Sequence, residues 1–175
     1  MMHVLGICGG SGSGKTRLAQ QLIAALTAQG QTVSVIKHAH HDVDVDTPGK
    51  DSWVLRKAGA SETVLITAQR WMLIRELEHE QPEPDIHEVL AHIQPCDWVI
   101  VEGFKHADLD KIEVWRHSVG KPALYPNDAH VKALITDDAD RLPVASRLPV
   151  FPPDDIGALV GWLDAHADLF VYERS

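Results

Sequence analysis

Cysteine is scarce in this 175-residue sequence, which holds only Cys8 and Cys96. Two cysteines cannot build a disulfide framework. Long apolar runs are missing as well: no window approaches the roughly 18 residues of a membrane-spanning helix. Met1 to Cys8 runs straight into a glycine cluster, with neither a basic leader nor a cleavage site, so a reduced, cytoplasmic protein is expected. Positive charge is in deficit, with 16 Lys and Arg against 25 Asp and Glu and a formal net charge of −9. That balance excludes bulk, sequence-independent binding of nucleic acid. The deficit is uneven. Residues 1–75 carry 8 basic and 5 acidic side chains, a surplus of +3, whereas residues 76–175 carry 8 and 20, a balance of −12. The basic half is able to hold a small polyanion; plain scatter over a solvated surface is the alternative. Hydrophobic residues at 45% and charged residues at 23% exclude wholesale disorder.

What is present reads as one α/β domain over 1–175, with no internal repeat. Residues 2–8 form an apolar run of strand length. Leu18, Leu22, Ala25 and Leu26 then fall on one helical face between Lys15 and Gln29, and Gly30 is a natural stop. Val33, Val35 and Ile36 make a second strand ending at Lys37-His38, which completes a βαβ unit and predicts a parallel sheet. A short helix over Ser52–Ala58, capped by Asp51 or Ser52 and ended by Gly59, follows a polar loop. Thr63–Thr67 and Arg70–Ile74 predict a β-hairpin element around 61–76, although Ala68-Gln69 is not a usual hairpin turn. Asp85 and Glu88 resemble a capping box ahead of Ile86, Val89, Leu90 and Ile93. Trp98–Val101 is continuously apolar, as in a strand buried on both faces, and it ends at Glu102-Gly103. Ile112–Trp115 and Val131–Thr136 are further strands, the stretch from Pro143 to Pro153 allows only short edge strands, and a last helix covers Asp155–His166.

Gly9-Gly10-Ser11-Gly12-Ser13-Gly14-Lys15-Thr16 matches the phosphate-loop pattern G-x-x-x-x-G-K-[ST] at every fixed position. Small residues let successive backbone N–H groups turn toward phosphate oxygens, and the helix starting near Lys15 adds its own unpaired N–H groups. In this pattern Lys15 reaches the β- and γ-phosphates and the Thr16 hydroxyl ligates Mg²⁺. Background residue usage puts a chance match at about 0.6% for a chain of this length, and here the motif stands between a predicted strand and a predicted helix. Such a loop needs a second acid near the metal. Glu102, closing a buried strand, is the best placed, either to hold Mg²⁺ through water or to position an attacking water; a strand-end Glu facing solvent is the alternative. Lys15 and Glu102 are therefore the candidate catalytic residues, and Thr16, Asp46 and Glu102 the candidate metal ligands. The segment Lys37-His38-Ala39-His40-His41-Asp42-Val43-Asp44-Val45-Asp46 fits no standard zinc spacing. It reads as a switch-like loop sensing the terminal phosphate or holding Mg²⁺ through Asp44 or Asp46, or as a solvated loop. Lys50, Arg56, Lys57, Arg70 and Lys105 could line a second anion site, or each be a lone surface charge. No Asn-Lys-x-Asp segment is present. Asp137, on the Thr136-Asp137-Asp138 turn, could offer carboxylate to guanine, and spare acidic surface explains it almost as well.

Taken together, the glycine loop, Lys37-His38-x-His40-His41, Asp44-x-Asp46, Pro48-Gly49-Lys50-Asp51-Ser52, Arg56-Lys57-Ala58-Gly59-Ala60, Gln69-Arg70-Trp71 and Glu102-Gly103-Phe104-Lys105-His106 resemble the MobB family. These are GTP-binding adaptors of molybdopterin-guanine dinucleotide biosynthesis. The likeness is strong over residue 3 to about 116; beyond that only element order and length agree. The resemblance implies a P-loop NTPase-like fold, a mostly parallel sheet flanked by helices with an additional β-hairpin. It also implies bound GTP with Mg²⁺, a homodimer in which the hairpin is a candidate interface, and association with the guanylyltransferase MobA. Carried over, Gly9, Gly10, Ser11, Gly12, Ser13, Gly14, Lys15 and Thr16 hold the phosphates; Lys37, at the end of the second strand, and Asp137, by its position on a late turn, are the further candidate nucleotide contacts. Glu102-Gly103 stands where P-loop GTPases usually carry an aspartate-led motif, so weak intrinsic GTPase activity is expected. Molybdopterin is a further candidate ligand. The alternative is a P-loop small-molecule or nucleoside kinase, whose loops have the same style. A kinase needs an arginine-bearing lid, whereas Arg141 and Arg147, late in the chain, are spaced apart among prolines.

Overall fold

A computed structural model describes residues 1–39, 44–77 and 82–173. The chain divides into two compact units, Met1–His38 with Val89–Ser175, and Ala39–Glu88.

The first unit is built on a seven-stranded sheet. Its strands are β1 (Met2–Cys8), β2 (Val33–Lys37), β5 (Trp98–Glu102), β6 (Lys111–Val114), β7 (Val131–Ile135), β8 (Val150–Phe151) and β9 (Val171–Tyr172), in the order β2-β5-β1-β6-β7-β8. All neighbours along that path are parallel. β9, which nothing in the sequence pattern announces, pairs antiparallel with β1 at Met2 and His3. The central strands β5 and β6 are buried along their whole length because both faces are covered; β5 accordingly reads as an apolar run up to Glu102, whereas β6 buries Lys111 and Glu113 among its apolar residues. On one face Leu5, Ile7, Ile100, Ile112 and Ile135 meet Leu18, Leu22 and Leu26 of helix α1 (Lys15–Ala28) and Leu159, Val160 and Leu163 of helix α4 (Ile156–Ala165). On the other, Cys8, Val131 and Leu134 lie under Tyr125 and the loop residues Leu124, Leu142 and Leu148. Each such buried aliphatic side chain contributes about 1.5–3 kcal/mol.

Local signals set the helix ends. α1 stops where Gly30 takes φ 82°; Gly30 N–H donates to Thr27 O at 2.9 Å and Gln31 N–H to Leu26 O at 3.1 Å, a Schellman closure. Asp155 caps α4 by accepting from Ala158 N–H at 3.1 Å. At the amino-terminal edge of the sheet Asp97 accepts from the Thr32 hydroxyl and N–H, each at 2.7 Å.

The second unit contains helix α2 (Asp51–Lys57) and a separate two-stranded sheet of β3 (Glu62–Ile66) and β4 (Trp71–Arg75), paired antiparallel from Glu62↔Arg75 to Ile66↔Trp71. The hairpin closes without Asn-Gly because the Thr67 hydroxyl accepts from Arg70 N–H at 3.1 Å and Gln69 N–H at 3.3 Å, while its own proton goes to Arg70 O at 2.9 Å. α2 departs from expectation at its start. Lys50 is the N-cap residue with no side-chain cap, and the Ser52 hydroxyl donates to Asp46 at 2.9 Å instead. Helix α3 (Ile86–Ala91) opens with the expected capping box: Glu88 N–H donates to Asp85 and Asp85 N–H to Glu88, both at 2.9 Å. Among the described residues no helix is long and apolar enough to cross a membrane.

Candidate functional site

Strand register assembles the site. The parallel strands present their carboxyl ends at one edge of the sheet, and open α/β sheets bind ligands outside that edge. Glu102 is aligned with Ile7 on one side and Lys37 on the other. The last residues of two adjacent strands, one acidic and one basic, therefore lie side by side next to the point where β1 gives way to the glycine loop.

The loop is pressed onto the end of β6. Gly9 has φ 132°, and a Cβ there would stand 2.2 Å from the carbonyl oxygen of Val114. α1 begins at Lys15 with Gly14 as its N-cap, no side-chain cap and no acid in the first turn, so its leading N–H groups are left for an anion. Lys15 folds back over the loop and donates to Gly9 O at 3.1 Å and Gly10 O at 2.9 Å. Burial lowers its pKa from the ordinary lysine value, against the opposing pull of Glu102. The Thr16 hydroxyl lies 2.9 and 3.0 Å from the two Glu102 oxygens and donates to that carboxylate. Lys37 Nζ donates to Glu102 Oε1 at 2.9 Å and stands 3.4 Å from Thr16 Oγ1. These side chains, with Ser11, Gly12, Gly14 and Arg17, line a cleft of about 390 Å³.

The Glu-Gly-Phe segment after β5 explains how Glu102 is fixed. Gly103 has φ 106°, and a Cβ on it would come within 2.7 Å of His38 Cβ, so only glycine lets β2 and β5 end side by side. His38 N–H donates to Glu102 O at 2.8 Å, and the His38 ring stacks on Phe104 at 4.5 Å between centroids. Phe104 itself takes φ 46°, the one non-glycine residue with positive φ noted among the described residues, and that strain is localised next to the acid.

Asp44 and Asp46 belong to the second unit, where both serve Arg56. Asp44 pairs with its Nη2 at 2.6 Å, Asp46 lies 3.7 Å from its Nε, and Glu76 takes Nη1 at 2.7 Å. The Arg56 hydrogen bond holds the Asp44 carboxyl below the ordinary carboxylate pKa. Asp46, buried, also accepts from Ser52 and from Thr47 N–H at 3.0 Å. Arg56 is thus committed to carboxylates rather than free for an anion. His40, His41 and Asp42 lie outside the described residues. Among the described residues no group of three or more His, Cys, Asp or Glu side chains converges to hold a metal. A hydroxyl and one carboxylate, Thr16 and Glu102, are nevertheless the donor set Mg²⁺ takes when phosphate oxygens and water complete its shell.

Asp137 is exposed on the turn after β7 and pairs with Arg116 Nη1 at 3.2 Å, while Asp138 accepts from His117 N–H at 3.1 Å. Arg116 carries no motif signal. Its Nη2 stands 4.0 Å from where a Gly14 Cβ would be, so it bridges the glycine loop and the Asp137 turn. Glu113, fully buried in β6, accepts from Leu124 N–H and Tyr125 N–H, both at 2.8 Å, and so ties down the loop that closes over the same strand end.

The family model for MobB, described as molybdopterin guanine dinucleotide synthesis protein B, matches residues 4–137. The chain is 43% identical over 148 residues to the molybdopterin-guanine dinucleotide biosynthesis adapter protein of Escherichia coli (strain K12), covering 83% of this chain and 84% of that one. It is 42% identical over 137 residues to the protein of the same description from Haemophilus influenzae, with 77% and 74% covered. The fold is that of Bacillus subtilis MobB, a crystal structure that aligns with TM-score 0.71 at 22% identity over 98% of this chain and 99% of the other. A second crystal structure, of the MobB homologue from Bacillus stearothermophilus, aligns with TM-score 0.68 at 24% identity, covering 94% and 97%. The chain belongs to the MobB family.

Proposed function

We propose that this MobB-family chain is a GTP-binding adapter in the biosynthesis of molybdopterin-guanine dinucleotide, with weak intrinsic GTPase activity, and that it assists the guanylyltransferase MobA. The observation that carries the nucleotide reading is the closure of Thr16, Glu102 and Lys37 over a glycine loop whose helix end is uncapped. Gly9 to Thr16 hold the phosphates through backbone N–H groups and the Lys15 ammonium. Thr16 and Glu102 hold Mg²⁺, which when bound neutralises phosphate charge. Asp137 would offer its carboxylate to guanine, with Arg116 spanning from it to the loop.

The same geometry supports reading any hydrolysis as slow. Phosphoryl transfer to water needs a group that positions the nucleophile and a cation over the developing charge. The Glu102 carboxylate is turned onto the Thr16 hydroxyl and the Lys37 ammonium. Arg17, the arginine lining the cleft, is paired with Asp154 at 2.7 Å. A chain that binds triphosphate and hydrolyses it slowly is suited to presenting nucleotide to a partner enzyme.

The homodimer is part of this proposal. Ile66 and Trp71, 74% and 64% exposed, close the β3–β4 hairpin, with Val64, Leu65 and Leu73 exposed beside them. An isolated two-stranded sheet is marginal in water, and an apolar one favours pairing. Titrating the protein with GTP and with ATP, with and without Mg²⁺, tests the central claim. Preferential, Mg²⁺-dependent GTP binding is expected; preferential ATP binding, or none with Mg²⁺, refutes it. Co-purification with MobA and the sedimentation mass test the two assembly claims separately.

A further inference from the structure

The geometry points to Lys37 as a built-in counter-ion that occupies the divalent-cation position of the nucleotide-free protein and passes to the terminal phosphate when metal and nucleotide bind. The inference rests on the reading of the cleft as an Mg²⁺–nucleotide site, and its first half is testable without nucleotide.

The Thr16 hydroxyl has one proton and two lone pairs. The proton points to Glu102, at 2.9 and 3.0 Å from its two oxygens. A lone pair faces Lys37, whose ammonium nitrogen is 3.4 Å away. The same ammonium is 2.9 Å from Glu102 Oε1. Lys37 therefore contacts the hydroxyl oxygen and the carboxylate oxygen that together form the protein's donor set for Mg²⁺. A cation at that corner can take the lone pair without disturbing the proton's bond to Glu102. The ammonium and the metal compete; the Thr16–Glu102 bond survives either way.

Burial makes the exchange one-sided. The Glu102 side chain is 11% exposed and that of Lys37 55%. The acid is fixed by strand pairing and by the His38–Gly103 contact, whereas the lysine ends a four-carbon stem that reaches solvent. With Lys37 in place, the Glu102 charge is compensated, and no other carboxylate lines the cleft among the described residues. A divalent cation arriving alone must displace a paired ammonium and leave it without a partner. Arriving with a triphosphate, it releases that ammonium into a cleft already lined by Lys15, where phosphate oxygens receive it. Metal and triphosphate are thereby coupled through a single side chain.

The test uses the full chain and Lys37→Met, which keeps the stem and removes the charge, with Lys37→Arg as the charge-retaining control. Folding of each is checked by its thermal transition. Mn²⁺ binding without nucleotide, followed by electron paramagnetic resonance, is expected to be about tenfold tighter in Lys37→Met than in wild type, with Lys37→Arg close to wild type. Equal Mn²⁺ affinity in wild type and Lys37→Met, or no binding by either, overturns the counter-ion role. At saturating Mg²⁺, Lys37→Met is expected to lose about tenfold in affinity for GTP and little for GDP, which lacks the terminal phosphate. An equal loss for both nucleotides overturns the transfer step. If wild type fails to bind GTP at all, the nucleotide reading fails, and the Mn²⁺ comparison still decides what Lys37 does.

Discussion

Replacing Gly9 by alanine is expected to cripple the protein through backbone geometry rather than chemistry, and the cost can be worked from the structure. Two contributions add. The residue has φ 132°, a conformation L side chains rarely adopt, and holding alanine there costs about 1–3 kcal/mol. The new Cβ would also lie 2.2 Å from Val114 O, about 1 Å inside even a close C–H···O contact. That oxygen belongs to the sheet backbone and cannot rotate away, so the loop must lift from β6 at a further cost of about 1–3 kcal/mol. The total is about 2–6 kcal/mol, against a stability of about 5–15 kcal/mol for a typical domain. Gly12→Ala is the internal control. Gly12 has φ 82° but nothing within 4 Å of its Cβ position, so only the conformational part applies. With a urea slope of about 2 kcal/mol/M, the midpoint should fall by about 1–3 M in Gly9→Ala and about half as far in Gly12→Ala. A Gly9→Ala midpoint equal to or above that of Gly12→Ala would refute the claim that the loop is registered on β6.

Three further outcomes are expected. Lys15→Ala should abolish triphosphate binding, read by calorimetry, while the thermal transition moves little, because Nζ makes its hydrogen bonds to loop carbonyls rather than to the core. Unchanged GTP affinity in that variant would remove Lys15 from the site. Leu22→Ala, at a fully buried position under the sheet, should cost about 2–5 kcal/mol in chemical denaturation, and a loss below about 1 kcal/mol would mean the α1 face is not packed as described. Asp97→Asn should narrow the acid dependence of stability. Hydrogen bonds from the Thr32 hydroxyl, and then from its N–H, hold the Asp97 carboxyl below its ordinary pKa of 3.8. A depressed folded-state pKa stabilises above the unfolded value, and that contribution is lost as pH falls through the folded one. The gap in stability between wild type and Asp97→Asn should therefore be full at neutral pH and shrink below about pH 4; a gap independent of pH would contradict the assignment.

Much of the fold was legible in the sequence because each element carries its own local signal. Leu18, Leu22 and Leu26 repeat at helical spacing, Gly30 supplies the left-handed residue that ends α1, and Asp85 with Glu88 writes out a reciprocal cap. The parts that were not legible depend on partners distant in sequence. β9 is two residues long, and only its pairing with Met2 and His3 makes it a strand. Ser52 looks like a helix cap, but α2 starts one residue before it, at Asp51, and the Ser52 hydroxyl donates to Asp46. Arg56 reads as one more surface charge until Asp44, Asp46 and Glu76 are seen around it. Arg116 has no signal at all, since nothing in the sequence says that the second residue after β6 meets the second residue after β7.

The site divides along the same line. Gly9 to Thr16 is a contiguous motif, so its residue types and spacing could be read directly. Lys37 and Glu102 were each marked out singly, as the charged end of an apolar run, yet 65 positions separate them and no local pattern pairs them. Their meeting requires that β2 and β5 be neighbours, that they run parallel, and that they end in register. A shift of one residue would move Glu102 to the opposite face of the sheet and replace it beside Lys37 with a buried valine or the glycine. Gly103 guards against that slip, because the 2.7 Å approach of His38 to its Cβ position admits no side chain and so fixes where the two strands stop relative to one another. Glu-Gly at the end of β5 is thus a single device: the first residue presents the carboxylate, and the second sets the height at which Lys37 and Thr16 find it. Substituting Gly103 by alanine should accordingly weaken metal-dependent nucleotide binding as well as stability. Restoring stability elsewhere, for example by filling a core position, should rescue the second and leave the first impaired; recovery of both together would show that the register of the two strand ends has no part in the site.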